Sequence, residues 1–269
     1  LEPKGDFMAT VAQDFQPTPI ADRPPAGLAI AMAVTIIAAF LLQFAMGRST
    51  IYSPLLTHLH ALTFMGWVAI FTVQATLGAR GRIEQHRKLG RLAIAWLALM
   101  IVMGFVVTVR MVRNGTVPFI FRPQHFLIFD PLNVLVFAGF VLFAVSMRKQ
   151  TDWHARLQLG AMSLLMGPAF GRLLPMPLLV PHAYEAAGAA CALFPLIGMG
   201  IDLKRTGRVH PAWLVTLGVL VAMIMLGDVI AYSPLGDSIY HMATAGTHGA
   251  AVPGLEFPAP PAGGLITGR

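Results

Sequence analysis

Six residues able to do chemistry stand within or at the edges of long apolar stretches: His60, His125, Asp130, Arg172, His182 and Glu185. An ionisable group in such a stretch is costly, faces the interior of a bundle and is a functional candidate by default. His182 and Glu185 are three residues apart, so a helix places both on one face. A His-x-x-Glu pair is half of a metal site, which makes His182 and Glu185 the candidate metal ligands. His60 or His125 would supply further ligands from other helices. His58 and His60 are two apart and diverge by about 200° around a helix, so the two do not share a face. Asp130 precedes Pro131 inside an apolar run, where an unpaired carboxylate is expensive and the proline frees a backbone carbonyl. Arg172 follows Gly167-Pro168-Ala169-Phe170-Gly171, a stretch that lets a helix or ligand approach closely. Arg172 is the expected ion-pair partner of Asp130.

Seven apolar stretches must position these groups: Gly27–Met46, Leu55–Leu77, Leu92–Val109, Phe126–Met147, Leu157–Met176, Ala183–Ile201 and Trp213–Tyr232. Each is close to the roughly 20 residues that a helix needs to cross a hydrocarbon core. A hydrophobic fraction of 56%, with only 12% charged residues, cannot supply the polar surface of a soluble protein of this length. The expected fold is therefore all-α, seven transmembrane helices in one antiparallel bundle over residues 27–232. Tails at 1–26 and 233–269 are rich in proline or glycine and cannot bury enough apolar surface to fold alone. The first tail lacks the short apolar core of a cleavable signal.

The net charge of +7 is concentrated in alternate loops. Arg80, Arg82, Arg87, Lys88 and Arg91 occupy one, Arg148, Lys149 and Arg156 a second, and Lys204, Arg205 and Arg208 a third. By the positive-inside rule these loops face the cytoplasm, which puts the N-terminus inside and the C-terminus in the periplasm. This distribution argues for a bilayer as partner and against nucleic acid. Arg110, Arg113 and Arg122 depart from the rule at an outer connection, where carboxylates, headgroups or a ligand can hold them. The same orientation gathers His58, His60, His125, Asp130, Asn133, Arg172, His182, Tyr184, Glu185 and Asp228 near the outer face, and leaves the inner half of the spans almost wholly apolar.

The inner loops carry a weak repeat. His86 and His154 each open a span with a nearby basic residue, Leu at the third following position and Ala at the seventh; His210-Pro211 opens the last one. At such helix starts a histidine bonds loop carbonyls or headgroups, and Asp152 and Asp202 neutralise neighbouring bases. The single cysteine, Cys191, excludes an intrachain disulfide and a multi-cysteine metal site. No P-loop, dinucleotide turn, covalent haem motif or serine-hydrolase elbow occurs.

His86-Arg87-Lys88-Leu89-Gly90-Arg91, His154-Ala155-Arg156-Leu157-Gln158-Leu159, and Asp202 with Arg208-Val209-His210-Pro211 resemble a bacterial family of uncharacterised polytopic membrane proteins. Its members carry similar His-Arg-x-Leu-Gly, His-x-Arg-Leu and His-Pro segments. The resemblance spans Leu55 to Leu214 and implies a bundle in the bacterial inner membrane, without an activity. Two functions follow as expectations. The first is a non-catalytic accessory subunit of a larger inner-membrane complex, packed on protein partners through helices and tails. The alternative is a redox or ligand-binding membrane protein with a metal, a haem or a quinone at the outer cluster.

Overall fold

The computed structural model describes residues 26–260. The expected N-terminal tail up to residue 25, and residues 261–269, lie outside the described residues. The chain is all-α. Its helices are α1 (Ala26–Ala45), α2 (Leu55–Ala79), α3 (Ile83–Asn114), α4 (Pro123–Ser146), α5 (Thr151–Leu164), α6 (Gly167–Leu173), α7 (Ala183–Cys191), α8 (Leu193–Thr206), α9 (Pro211–Ala231) and α10 (Pro234–Thr244). Six helical runs are long and apolar enough to cross a membrane: α1, α2, α3, α4, Ala183–Thr206 and α9.

Local sequence explains where these helices depart from the expected spans. The 32-residue α3 begins well before Leu92, because Ile83–Arg91 is made of good helix formers and Lys88 pairs with Glu84 one turn earlier at 2.6 Å. At the other end Gly115, with φ 67°, takes the left-handed cap that a residue with a side chain adopts only at a cost. Pro195 has no N–H to offer the Cys191 carbonyl, and α7 gives way to α8 there with little change of course.

The fifth expected span is where the structure differs most. Instead of one helix over Leu157–Met176, there are two pieces broken at Leu165–Met166, just ahead of Gly167-Pro168. The 14 residues of α5 rise about 21 Å, short of a hydrocarbon core of about 30 Å. The seven residues of α6 then turn to pack between α1 and α7. Proline at the second position of α6 suits a helix start and ends any continuation from α5.

Short connections make successive helices antiparallel, and α4, α5 and α9 form the centre of the bundle. Phe137, Met100, Leu157, Met162 and Trp213 are fully buried there, and Trp67 meets Phe137 edge-on at 5.2 Å. The loops after α2, α4 and α8 lie at one end, called here the basic end.

That end is not apolar inside, contrary to expectation. Arg156 (3% exposed) donates through Nε and Nη2 to the two carboxylate oxygens of Asp202, each bond 2.8 Å. The Trp213 indole N–H donates to the same carboxylate at 2.8 Å. Gly198 faces the Trp213 ring so closely that a Cβ there would overlap it. His86 and His154 behave alike: each donates from Nδ1 to a carbonyl near the end of the preceding helix, Gln74 O at 3.1 Å and Ala144 O at 2.7 Å. His210 is held in the opposite tautomer, accepting at Nδ1 from Ala212 N–H and donating from Nε2 to Asp152 at 3.2 Å.

The expected C-terminal tail is helical in part. It forms α10 and a short turn at His248–Ala251, and both pack on α3. Tyr240 donates its hydroxyl to the Val252 carbonyl at 2.8 Å and Arg113 donates to Ala243 O at 3.0 Å. Burial pushes the Tyr240 phenol up, so it stays neutral and able to donate.

Replacing Asp202 alone with Ala strands a buried guanidinium, and a loss of about 3–5 kcal/mol is expected. An Arg156→Met, Asp202→Leu double variant should lose less. Thermal unfolding of the purified variants in detergent checks this order.

Candidate functional site

The six candidate residues all lie at the end opposite the basic loops, yet they form separate groups. The best-connected group starts at His125, on the first turn of α4. Pro123 begins that helix and Gln124 anchors it: its side chain donates to Ala231 O at 2.7 Å, and its backbone N–H donates to Gly254 O at 2.8 Å. The His125 ring is thereby clamped beside the end of α9, where its Nε2 donates to Asp228 at 2.8 Å. Aromatic rings enclose it: Phe129 and Tyr232 lie parallel, with centroids 5.5 and 5.6 Å away, and Tyr184 is tilted at 4.4 Å. Tyr184, on α7, donates its hydroxyl to Asp130 at 3.2 Å, one helical turn and a little more beyond His125 on α4.

Asp228, His125, Tyr184 and Asp130 thus make a continuous file of protonatable groups. It runs from a half-exposed carboxylate to one inside the bundle, with the His–Tyr step bridged by ring contact. A cleft opens beside this file, lined by Phe121, Arg122, His125, Tyr184, Glu185, Tyr232 and Phe257 among others. Its volume is about 10 Å³, which is room for one water. Two polar atoms of lining residues, His125 Nδ1 and Arg122 Nε, are buried without a hydrogen-bond partner. Buried polar groups in folded proteins are normally paired, so each unpaired one calls for a reason.

Arg122 donates to the Tyr232 hydroxyl at 3.0 Å and lies 4.7 Å from the Phe257 ring centre. Phe257 therefore closes the cleft from the C-terminal segment. Arg122 stands out in the sequence only as a departure from the positive-inside rule, and neither Tyr232 nor Phe257 stands out as a site residue. The available signal was the scarcity of tyrosine, since all four in the chain are at this end.

The expected Asp130–Arg172 ion pair does not form. Asp130 takes its bond from Tyr184, whereas Arg172 donates to Pro168 O at 2.8 Å and stacks over the Phe40 ring at 4.0 Å. The cause is the break before α6, which swings Arg172 toward α1 and away from α4. There Gln43 fastens it, donating to the Arg172 carbonyl at 2.7 Å. His60 belongs to this second group, beside Arg172 and stacked on Phe64 at 4.4 Å, with its Nδ1 buried and unpaired.

His182 and Glu185 do share a face, with Nδ1 and Oε1 3.5 Å apart, but the pair is exposed. Among the described residues no third histidine, cysteine or carboxylate joins them, or any other pair, in a cluster fit for a metal ion. His125 cannot serve as the missing ligand through Nε2, which Asp228 already holds.

Comparison with protein-family models, with curated proteins and with solved structures finds no match to this chain.

Tyr240→Phe removes both bonds that the phenol makes to the C-terminal segment, at Val252 O and Gly249 O. It should cost about 1 kcal/mol and open the segment beyond α10. Limited proteolysis should then cut between residues 245 and 257 faster than in the wild type, with the bundle itself left intact.

Proposed function

We propose that this chain is a multi-pass protein of the bacterial inner membrane whose site beside His125 binds a small planar polar ligand of the quinone class and exchanges protons with it. Seven crossings fit the chain if α5 and α6 together make the fifth as a broken helix. The loops after α2, α4 and α8 then face the cytoplasm, and the His125 site lies in the periplasmic leaflet.

One observation carries the functional reading: the Asp228–His125–Tyr184–Asp130 file runs beside a cleft whose lining residues include two buried, unpaired polar atoms. The cleft as it stands has room for one water, so a quinone headgroup enters only when Phe257 moves off Arg122; it then offers carbonyl oxygens to Arg122 and a ring to stack on Tyr184 and Tyr232. Quinone and quinol differ by two electrons and two protons: the file gives or takes the protons, and the electrons pass to or from a separate redox partner protein, since the described residues offer no cluster to hold a redox metal. A metal has two candidate ligands, and among the described residues it lacks a third. A haem would need His125 to turn away from Asp228 and from three packed rings.

The accessory-subunit reading drew on tails free to wrap partners. Residues 234–257 pack on their own bundle instead, which withdraws that support at the C-terminal side.

Organic extraction of the purified protein should yield a quinone in near-stoichiometric amount. Arg122→Gln, which removes the cationic donor to the quinone carbonyl, should weaken binding of a soluble quinone analogue about tenfold, the effect of losing roughly 1.4 kcal/mol. No extractable quinone, unchanged analogue binding in that variant, and a stoichiometric protein partner in the same preparation would together favour the accessory role. For topology, a reporter fused after Tyr232 should read as periplasmic.

A further inference from the structure

The helix α3 continues past the hydrocarbon core, since 32 residues rise about 48 Å against a core of about 30 Å. Its last turns carry Arg110 and Arg113 at the end opposite the basic loops, where the positive-inside rule expects few cations. Both arginines are exposed, and their spacing of three puts them on one face. Among the described residues neither has a carboxylate partner within ion-pair distance; Arg113 makes one bond, to the Ala243 carbonyl, and most of its donors stay available. The surface below them is a shallow groove, open on most sides, along one face of α3, lined by Phe105, Val106 and Val109, with Arg110, Arg113 and Asn114 at its head. Phe105 and Val106 are exposed, at 37% and 44%.

We infer that this groove is a binding site for an anionic phospholipid. Its phosphate is held between Arg110 and Arg113, and one acyl chain lies along Phe105, Val106 and Val109. Charge complementarity selects the occupant. Two cations facing no carboxylate suit a headgroup of net negative charge, and a planar guanidinium grips phosphate oxygens two at a time. The apolar floor continues from the charged head toward the middle of the bundle, as a lipid does and a free phosphate ion does not. The site also accounts for two arginines on the face that the positive-inside rule leaves poor in positive charge. It requires a membrane around the bundle and is independent of what binds beside His125, where the residues are different ones.

Native mass spectrometry of the delipidated full chain in mild detergent tests this with phosphatidylglycerol and phosphatidylcholine added at equal concentration. The wild type should retain phosphatidylglycerol preferentially. Arg110→Gln should cut that binding about fivefold, as expected for one cationic side chain near a lipid phosphate. Val106→Trp, which fills the groove without touching a charge, should also cut it while the melting temperature stays as in the wild type. Arg80→Gln, at the basic end, should leave it unchanged. Equal losses in Arg80→Gln and Arg110→Gln would mean a diffuse charge effect and overturn the site, as would equal retention of the two lipids. Competition by the chain-free glycerophosphoglycerol as effective as by the intact lipid would reduce it to an anion contact. A dimer that Arg110→Gln dissolves would assign the groove to a second copy of the chain. Either of these last outcomes also overturns the proposal.

Discussion

Arg156 and Asp202 exchange two 2.8 Å bonds in the interior of a bundle whose outside is itself apolar, and the arrangement of the basic end depends on that pair. Neither charge has water to fall back on. Each is stable only where the other is, which ties the start of α5 to the end of α8. Trp213 adds α9 to the same carboxylate, and Gly198 lets that indole lie against α8. The remote α5 and the consecutive α8 and α9 are thus held in one register by a single carboxylate. The helix that benefits most is α5, because it is short, breaks at Leu165 and cannot be located by length alone.

From that fixed start, the break sets the geometry of the opposite end. With α5 ended early, α6 turns toward α1, and Arg172 goes with it to Phe40 and Gln43. Asp130 is left to the one donor that reaches it among the described residues, the Tyr184 hydroxyl. Tyr184 then lies against His125, and His125 against Asp228. The protonatable file is therefore a consequence of a helix that stops, as much as of the residues that form it. The C-terminal segment completes the enclosure. Gly254 takes the Gln124 N–H that a helix start leaves unsatisfied, and this brings Phe257 over Arg122.

The histidines of the basic end show how one residue type serves two structural purposes. His154 takes the Ala144 carbonyl, one of the last four of α4, where the backbone runs out of internal partners, and His86 bonds the Gln74 carbonyl in the last part of α2. His210 instead caps the start of its own helix and reaches Asp152. The likeness of the first two in sequence is a likeness of hairpin construction, and the looser third behaves differently.

Length and hydropathy determined the helical class and most helix positions, because a run of about 20 apolar residues has few other ways to satisfy its backbone. The carbonyl bonds of His86 and His154 were also legible, since a polar residue at a helix end bonds what is nearest in the chain. The partners of Asp130, Arg172, His60 and His125 were not. Those depend on which faces of separate helices meet, and that is decided by a break at Leu165–Met166 and by the turn of α6 that follows it. Gly167-Pro168 announced an interruption without its direction. The burial of Arg156 and Asp202, read in the sequence as loop charges, and the folding of residues 234–257 onto α3 are tertiary in the same sense. A charge at a helix end is as compatible with a headgroup as with an ion pair, and a proline-rich segment orders only where a neighbouring surface takes up its backbone groups.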